Sequence, residues 1–377
     1  MRITGIICEY NPLHLGHKKQ LDLIRSDDPE GGIVCLMSGN FVQRGMPAIV
    51  DKALRAKAAI KCGADLVLEL PVTAALSSAE GFAAGGVSIL SGFCDRLCFG
   101  AENADGKALM AAAKTLLSKD FKVALREELD KGLSFPAARQ KALAAMGVDT
   151  ALVSSPNNIL AVEYCKSIIA QGNTMKPMPI LRQGDYHDLA AEKENPSATA
   201  VRALMLRKQD WQSFVPVDLF DNTVLHDLSH GEQAVLYRLR TMTDSDYEAL
   251  PYGSEGLWRK LMHAARSEAT LEGILTATKS KRYTRTRLDR MVMCAFLGIT
   301  QKDLDSPAPY VRVLAFNDRG REILKTARLT GEFPNIGQRI DHPYQQLEDR
   351  CGDLYGLFCE HPDTPGQESR QRVFYSR

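Results

Sequence analysis

The chain has 377 residues, 45% of them hydrophobic and 25% charged, and its 47 basic and 46 acidic side chains give a formal net charge of +1. This composition is typical of a soluble globular protein, and no apolar run is long enough to span a bilayer. The length predicts two domains, and the near-neutral charge gives no overall bias towards nucleic acid.

The amino terminus and the cysteines indicate a reduced, cytoplasmic protein. The opening RITGIICEY has no long apolar stretch and no small-residue cleavage site, so we expect no signal peptide. Nine cysteines lie at irregular spacings, and Cys8, Cys35 and Cys98 fall in strand-like runs that predict core positions. Cys94 and Cys98 are the closest pair, but no suitably spaced histidine or second pair accompanies them, so we expect no structural metal.

The first half of the chain alternates strand-like runs with helical patterns. The predicted strands are ITGIIC, GIVCLMS, DLVLELP, DRLCFGAE and MKPMPILRQG, the last ending at Arg182. The predicted helices are HKKQLDLIRS, VDKALRAKAAIKCG, AEGFAAGGVSILSG and SPNNILAVEYCKSIIAQ, and residues 104–150 are mainly helical with an interruption at Pro136. This alternation predicts an α/β domain with a Rossmann-like parallel sheet, whose ligand lies beyond the carboxyl ends of the strands.

The pattern changes after the helix NPSATAVRALMLRK. Helical segments continue to about residue 300, and YVRVLAFNDRGREILKTA predicts one late strand followed by a helix. The tail from Glu360 is polar, and we expect it to be frayed. We therefore divide the chain into an α/β domain at 1–205 and a mainly helical domain at 206–377.

The stretch CEYNPLHLGHKKQ ends the first strand and opens the first helix. Backbone N–H groups at a helix start are unpaired, and Gly16 would let a phosphate approach them closely. His14 and His17 would donate to phosphate oxygens, while Lys18 and Lys19 would add charge. Such donors suit a leaving pyrophosphate, on which charge grows as its bond to the α-phosphate breaks. The alternative is a pair of surface or capping histidines, and a zincin site is disfavoured because HExxH is missing.

Two further helix starts carry polar side chains. SATAVR places Ser197, Thr199 and Arg202 where hydroxyl and N–H groups would hold phosphate, and a plain capping sequence is the equal alternative. SPNN offers Asn157 and Asn158 for a base edge or a ribose.

Five other positions allow two interpretations each. Lys52 and Arg55 are three apart on a predicted helix and would serve phosphate or RNA, although a solvated face is the favoured interpretation for Arg55. Gly39, Asn40 and Arg44 lie in the loop SGNFVQRG, which is equally a structural turn or a ligand loop.

Several segments between residue 5 and about residue 290 together carry a resemblance: GIICEYNPLHLGHKKQL, SGNFVQRGMPAIVDKALRAKAAIKCGADLVLELP, SPNNILAVEY, YHD, SATAVR and KRYTRTRLDR. The chain resembles the bacterial tRNA(Met) cytidine acetate ligases, within the HxGH nucleotidyltransferase superfamily. The resemblance implies that ATP, with Mg²⁺, and acetate rather than acetyl-CoA form an enzyme-bound acetyl adenylate and pyrophosphate. The amine of the wobble cytidine of elongator tRNA(Met) then attacks, giving N4-acetylcytidine and AMP.

The resemblance also implies a site, which the residues themselves extend. The predicted ATP-binding residues are Ile7, Cys8, Glu9, Tyr10, Asn11, Pro12, Leu13, His14, Leu15, Gly16, His17, Lys18, Lys19, Gln20, Gly100 or Ala101, Asn157, Arg182, Ser197 and Thr199. The predicted catalytic residues are His14, His17, Lys18, Lys19 and Arg202. Acetate is already a nucleophile, so the reaction needs no activated serine or cysteine.

A basic cluster in KSKRYTRTRLDR is predicted to bind tRNA. Six lysines and arginines occur within twelve residues, against the single acid Asp289. The predicted tRNA-binding residues are Lys279, Lys281, Arg282, Tyr283, Arg285 and Arg287. Arginine planes and an aromatic ring suit unpaired anticodon-loop bases, and a solvated helix start is the alternative.

Two other functions remain open from the sequence. A small-molecule adenylyltransferase would share the HxGH stretch and the sheet but leaves the further residues after the α/β domain, with their basic cluster, unexplained. An RNA-binding protein with a decayed nucleotide domain would bind tRNA without releasing pyrophosphate, and the intact His14, His17 and Arg202 argue against it.

Overall fold

A computed structural model of the chain describes residues 1–182, 196–327 and 332–377. Its centre is a seven-stranded sheet in the order β7-β6-β1-β2-β5-β8-β9, accompanied by the two-stranded hairpin β3–β4. The strands are β1 (Ile3–Cys8), β2 (Gly32–Ser38), β3 (Phe41–Val42), β4 (Met46–Pro47), β5 (Leu66–Leu70), β6 (Arg96–Ala101), β7 (Lys176–Leu181), β8 (Val313–Asn317) and β9 (Phe374–Ser376).

The five strands from the first half of the chain run parallel. β1 pairs with β2 on one side and β6 on the other, β2 continues to β5, and β6 continues to β7. The strand order therefore reverses between β1 and β6, and such a switch point is where open α/β sheets bind ligands. The late strand β8 pairs antiparallel with β5, and β9 adds parallel to β8.

Helices account for most of the remaining described residues. The α-helices are α1 (Leu15–Asp27), α2 (Lys52–Lys61), α3 (Val72–Ala75), α4 (Ala79–Leu90), α5 (Gly106–Leu117), α6 (Lys119–Asp130), α7 (Phe135–Ala145), α8 (Pro156–Ala170), α9 (Ala198–Leu206), α10 (Leu228–Thr241), α11 (Asp244–Glu248), α12 (Leu257–Ser267), α13 (Leu271–Thr278), α14 (Arg285–Leu297), α15 (Gln301–Asp305), α16 (Asp318–Lys325), α17 (Pro343–Tyr355) and α18 (Gln367–Arg370). Short 3-10 turns lie at Thr150–Val153, Gln212–Phe214, Asp218–Phe220 and Gly356–Phe358.

Alternate residues of the buried strands face two separate apolar layers. In β2, Val34 and Leu36 pack with α4, α5 and α8 on one face, whereas Ile33, Cys35 and Met37 pack with α1, α2 and α9 on the other. All residues of β2 are buried. A strand covered on both faces is a nearly continuous apolar run, as GIVCLMS is.

The helices after residue 227 form a third apolar cluster. Side chains of α10, α12, α13, α14 and α17 pack together there, and Phe41 of the hairpin joins them. The hairpin is thus held between the sheet and the helical part of the chain. Gly45 at its tip has a φ of +77° and lies against the backbone of α14, where a side chain has no room.

The fold confirms the predicted α/β class with its parallel sheet and the mainly helical second half. Each strand predicted in the sequence is present, including the late strand and its helix. The division at residues 205 and 206 stays a prediction, and the sheet crosses it, because β8 and β9 come from the second half.

Two local predictions were wrong. Pro136 is the second residue of α7, a first-turn position that needs no N–H partner, so it begins a helix instead of interrupting one. The tail beyond Glu360 is not frayed: it forms α18 and β9, because Glu368 is buried in an ion cluster and β9 pairs with β8.

The nine cysteines are all buried and free, which confirms the core positions predicted for Cys8, Cys35 and Cys98. Throughout residues 1–182, 196–327 and 332–377, every helix is too short or too polar to cross a bilayer.

Candidate active site

A cavity of about 310 Å³ opens at the carboxyl ends of β1, β6 and β7, beside the switch point of the sheet. The residues that follow these strands, together with the starts of α1, α8 and α9, form its wall. The predicted site residues that line it are Ile7, Cys8, Glu9, Tyr10, Asn11, His14, Gly16, His17, Lys19, Gln20, Gly100, Asn157, Arg182, Ser197, Thr199 and Arg202. Segments far apart in sequence thus meet at one place.

The two histidines are held as the N-terminal cap of α1. The Nδ1 atom of His14 accepts the N–H of Gly16 at 3.1 Å, and the Nδ1 atom of His17 accepts the N–H of His14 at 3.3 Å. The two rings stack with their centroids 3.7 Å apart. The capping interpretation and the ligand interpretation are therefore compatible, since the cap uses one nitrogen of each ring.

Both histidines are neutral. Burial, with the positive charges of Arg182 and Arg202, lowers the pKa of His14 to about 3. Burial, with His14 and Arg182, also lowers the pKa of His17 well below its ordinary value. Because each Nδ1 accepts a hydrogen bond, each neutral ring carries its hydrogen on Nε2 and can donate it to an oxygen of a ligand.

Two arginines add positive charge to the same cavity. Arg202 donates to the carbonyl of Asn11 at 2.7 Å and to Oγ1 of Thr199 at 3.1 Å, which fixes it against the turn before α1. Arg182 follows β7 and donates to Oδ1 of Asn157 at 3.1 Å. Arg202 therefore joins the SATAVR segment to Asn11, three residues before His14, and Arg182 joins the SPNN segment to the end of β7. The charges of both arginines act on His14.

Glu102 fixes the start of α8. Its carboxylate accepts from the side chain of Asn157 at 2.7 Å, from the backbone of Asn158 at 2.8 Å and from Ser155 at 2.7 Å. Asn157 lines the cavity, but Asn158 is buried and its Oδ1 accepts the N–H of Asn103 at 3.0 Å. The prediction that Asn158 contacts a ligand was therefore wrong, because its amide is used to hold the adjoining loop.

Five predicted residues lie away from the cavity wall: Pro12, Leu13, Leu15, Lys18 and Ala101. Leu13 and Ala101 are fully buried in the core, so Gly100 is the member of its pair that faces the cavity. Lys18 forms an ion pair with Asp22, one turn further along α1, and does not point its charge at the cavity. Their predicted roles in ATP binding and catalysis have no support from this placement.

Lys52 and Arg55 are structural, and both interpretations offered for them were wrong. Arg55 is completely buried and donates to the carbonyls of Val50 at 2.7 Å, Glu9 at 2.6 Å and Ser38 at 3.1 Å. It therefore holds the ends of β1 and β2 together. Lys52 is 3% exposed and its ammonium is enclosed by carboxylates, so it is unavailable to phosphate or RNA.

The loop SGNFVQRG divides between the two alternatives. Arg44 lines the cavity with Val42, Gln43 and Met46, whereas Gly39 and Asn40 do not. Asn40 closes the base of the hairpin, where its carbonyl accepts the N–H of Ala48 at 2.9 Å. The tip of the hairpin is thus a wall of the site and its base is a structural turn.

Sequence reasoning missed the apolar part of the wall. Phe82, Phe99, Leu160, Tyr164 and Ile180 line it, and the rings of Phe99 and Tyr164 are 5.4 Å apart. Asn157, Leu160 and Tyr164 are spaced three and four apart on α8. This spacing puts them on one helix face and was a signal that the sequence offered.

The predicted tRNA-binding residues lie at the turn between α13 and α14. Acids from elsewhere in the chain reach this turn: Glu255 pairs with Arg282 at 2.7 Å and accepts from Tyr283 at 2.9 Å, while Glu272 pairs with Arg285 at 2.7 Å. The local positive charge is therefore smaller than the twelve-residue window indicates. Their tRNA-binding role stays a prediction.

The remaining members of this cluster are arranged around Tyr283. Arg287 donates to the carbonyl of Tyr252 at 2.7 Å and lies 4.8 Å from the ring of Tyr283. Lys279 and Lys281 are exposed. The YHD segment that contributed to the resemblance lies outside the described residues.

A parallel sheet with a neutral histidine pair and arginines at its switch point defines a nucleotidyltransferase of the HxGH class. In agreement, the family model of the HIGH Nucleotidyl Transferase matches residues 1–369. The tRNA(Met) cytidine acetate ligase of Clostridium acetobutylicum is 38% identical over 374 residues, with 92% of each chain covered. That of Clostridium perfringens is 39% identical over 365 residues, with 90% of each covered. The chain belongs to the tRNA(Met) cytidine acetate ligase family.

Solved structures agree with this family. The apo crystal structure of Thermotoga maritima TmcAL is 28% identical, covers 100% of both chains and superposes with a TM-score of 0.89. The structure of the same protein bound with alpha-thio ATP, again 28% identical with 100% of both chains covered, gives a TM-score of 0.86. The family predicted from the sequence is confirmed, whereas the roles of individual site residues stay predictions.

Proposed function

We propose that this protein uses ATP to activate acetate as acetyl adenylate and then acetylates the wobble cytidine of elongator tRNA(Met). The observation that carries the proposal is the neutral pair His14 and His17. Each ring accepts a backbone N–H on Nδ1 and can donate its Nε2–H to a ligand in the cavity. Membership of the ligase family supports the substrates.

In the first step the acetate oxygen attacks the α-phosphorus of ATP, and pyrophosphate leaves. The protein has to stabilise negative charge that grows on the bridging oxygen. The Nε2–H donors of both histidines and the charges of Arg182 and Arg202 supply that stabilisation at the start of α1. Because these groups are fixed before the ligand binds, little reorganisation is needed in the transition state.

Mg²⁺ would enter as part of the nucleotide substrate. Among the described residues that line the cavity, Glu9 is the only carboxylate. Since Mg²⁺ prefers oxygen ligands, phosphate oxygens and water would hold most of its coordination shell.

In the second step the cytidine amine attacks the acetyl carbon and AMP leaves. We place the tRNA on the turn that carries Lys279 and Lys281, because α14 begins there and packs against the hairpin that walls the cavity. Arg290 of α14 donates to the carbonyl of Gln43 at 3.3 Å, and Gln43 lines the cavity. Bound tRNA would therefore lie next to the site of activation. The nine buried, free cysteines suit the reducing cytoplasm, where we place the reaction.

The test supplies the protein with ATP, labelled acetate and unmodified elongator tRNA(Met), followed by nucleoside analysis. The proposal expects N4-acetylcytidine at the wobble position, with one AMP and one pyrophosphate formed for each acetyl group. Acetyl-CoA in place of ATP and acetate should give no product. Pyrophosphate exchange that depends on a phosphomonoester and ignores acetate would instead identify a small-molecule adenylyltransferase.

A further inference from the structure

The proposed reaction leaves one proton without an acceptor. When the N4 amine of cytidine bonds to the acetyl carbon, the bond between that carbon and the adenylate oxygen breaks. The electron pair of this bond leaves with AMP. One N4 proton must also be removed, and a positioned base speeds such a step by roughly 10² to 10⁴.

Resting on the proposed function, we infer that Glu9 is the catalytic base that accepts this proton and later releases it to solvent. Glu9 directly follows β1 and lines the cavity, as do His14 and His17. Of the described residues in that wall, it alone carries a carboxylate. Carboxylates are also the groups that accept hydrogen bonds from the amine of cytosine.

The other titratable groups of the wall suit this step less well. Burial raises the pKa of Cys8, Tyr10 and Tyr164, so these three groups hold their protons more tightly than usual and do not serve as bases. His14 and His17 are occupied on Nδ1 and present an N–H to the cavity, so they donate instead of accepting. Lys19, Arg44, Arg182 and Arg202 line the cavity as cations, and a cation has no lone pair for a proton.

The position of Glu9 is fixed from both sides. Its Oε1 accepts the N–H of Gln43 at 2.7 Å, and its own carbonyl accepts from Arg55 at 2.6 Å. A carboxylate offers further lone pairs beyond this one bond, so the group can still accept from a substrate. Gln43 in turn accepts from Arg290 of α14, the helix whose first residues belong to the proposed tRNA surface.

The surroundings of Glu9 also suit a base. Burial raises the pKa of its carboxyl group above the ordinary value, although Gln43, Arg202, Arg44 and Arg55 pull it down. Desolvation therefore makes the carboxylate a stronger proton acceptor, and the nearby cations oppose part of that increase. A carboxylate close to the reacting groups would not assist the first step, because acetate and ATP are both anions and a third negative charge would repel them.

The experiment separates the two steps with the full-length protein. Enzyme is loaded with labelled acetyl adenylate from ATP, acetate and pyrophosphatase, and tRNA(Met) is then added for a single turnover. Acetate-dependent ATP–pyrophosphate exchange is measured in parallel. The variant is Glu9→Gln, which keeps an oxygen for the N–H of Gln43, and the control is Glu80→Gln, on an exposed acid of α4.

In Glu9→Gln we expect acetyl transfer to fall at least a hundredfold and exchange to fall less than tenfold, while Glu80→Gln matches the wild type in both. The transfer rate of the wild type should rise with pH as the base ionises, and Glu9→Gln should lose that rise. Glu9→Asp, which keeps an acid one methylene shorter, should transfer more slowly than the wild type and keep the rise.

Three results would overturn the inference. Transfer at the wild-type rate in Glu9→Gln would show that another group takes the proton. Equal losses of exchange and transfer would place Glu9 in nucleotide or Mg²⁺ binding. If Glu9→Gln does not fold, equal losses of exchange and transfer in Glu9→Asp would have the same meaning as the second result. The proposed function fails separately, if the wild type itself transfers no acetyl group to tRNA.

Discussion

Lys52 donates a hydrogen bond of 2.8 Å to Glu368, which lies 316 residues further along the chain. Its ammonium also contacts both oxygens of Glu69, at 2.8 and 2.9 Å. Arg312 of the same cluster pairs with Glu348 at 2.8 Å and lies 3.6 Å from Glu368. The cluster therefore fastens the tail of the chain to α2 and to the end of β5, directly behind the hairpin.

Lys52→Met should destabilise the protein by about 3–5 kcal/mol, because it leaves the buried Glu69 without its cation and Glu368 with Arg312 alone. Urea unfolding of the purified variant measures the loss. Arg266→Met is the matched control, since Arg266 pairs with Asp244 on the surface and should contribute no more than about 1 kcal/mol. Equal effects of the two substitutions would contradict the importance of the buried cluster.

His17→Ala should slow acetate-dependent ATP–pyrophosphate exchange by roughly a hundredfold, since removal of one fixed donor costs about 3 kcal/mol in the transition state. The same change removes the acceptor for the N–H of His14, so a loss of about 1 kcal/mol in stability accompanies it. His230→Ala, at an exposed position of α10, should behave as the wild type. A folded His17→Ala enzyme with normal exchange would rule out the donor role.

His14 should stay neutral between pH 8 and pH 5, with its hydrogen on Nε2, as nitrogen chemical shifts would report. Its pKa of about 3 in the folded protein lies below the ordinary 6.5, so only the unfolded chain takes up the proton between these values. Stability relative to His14→Gln should therefore fall by about 1.4 kcal/mol for each pH unit below 6.5. An imidazolium signal at pH 5.5 in the folded protein would contradict this.

The stability of the wild type has to be compared with that of His14→Gln at each pH, because other groups also titrate. Burial raises the pKa of Glu69 to about 7, so its protonated form stabilises the folded state below pH 4.5 and this contribution fades as the pH rises through 7. Because the wild type and His14→Gln both contain Glu69, its opposite pH dependence cancels in the difference between their free energies of unfolding.

Gly100→Val should weaken ATP binding at least tenfold without loss of stability. A Cβ atom at Gly100 meets no protein atom within 4 Å, so the added side chain would enter the cavity and not the core. Calorimetric titration with ATP measures the affinity and thermal unfolding measures the stability. The control is Ala111→Val, at an exposed position of α5. Gly147→Val would not serve, because the φ of +73° at Gly147 disfavours valine. Wild-type affinity in Gly100→Val would exclude nucleotide from this part of the wall.

Replacement of Lys281, Arg282 and Arg285 by alanine should weaken tRNA binding and flatten its salt dependence. Each lost phosphate contact lowers the salt slope by about 0.7–0.9. We expect the salt slope to change by less than the loss of three phosphate contacts would give, because Glu255 and Glu272 already pair with Arg282 and Arg285. Filter binding over a salt series measures the slope, with pyrophosphate exchange alongside to show that activation survives. An unchanged slope and affinity would place the tRNA elsewhere.

The sequence alone predicted the family of this protein and six strands of its main sheet, but not the hairpin β3–β4, α18 or β9. A nearly continuous apolar run such as GIVCLMS predicts a strand that is buried on both faces of a parallel sheet. The HLGH stretch, between a strand and a helix, predicts a phosphate site at that helix start. His14, His17 and Arg202 were predicted as phosphate-binding residues from their places near helix starts, whereas the family resemblance implied the role of Arg182.

Only the tertiary structure decided which charged residues are buried and what they contact. Lys52, Arg55 and Glu368 look like ordinary solvated charges in the sequence, yet each has partners from distant segments that compensate its burial. The positive charge at the turn between α13 and α14 is likewise partly neutralised by Glu255 and Glu272, which lie outside the segment KSKRYTRTRLDR. Helix and strand periods report local geometry, whereas the pairing of buried charges depends on contacts between segments that the linear pattern does not encode.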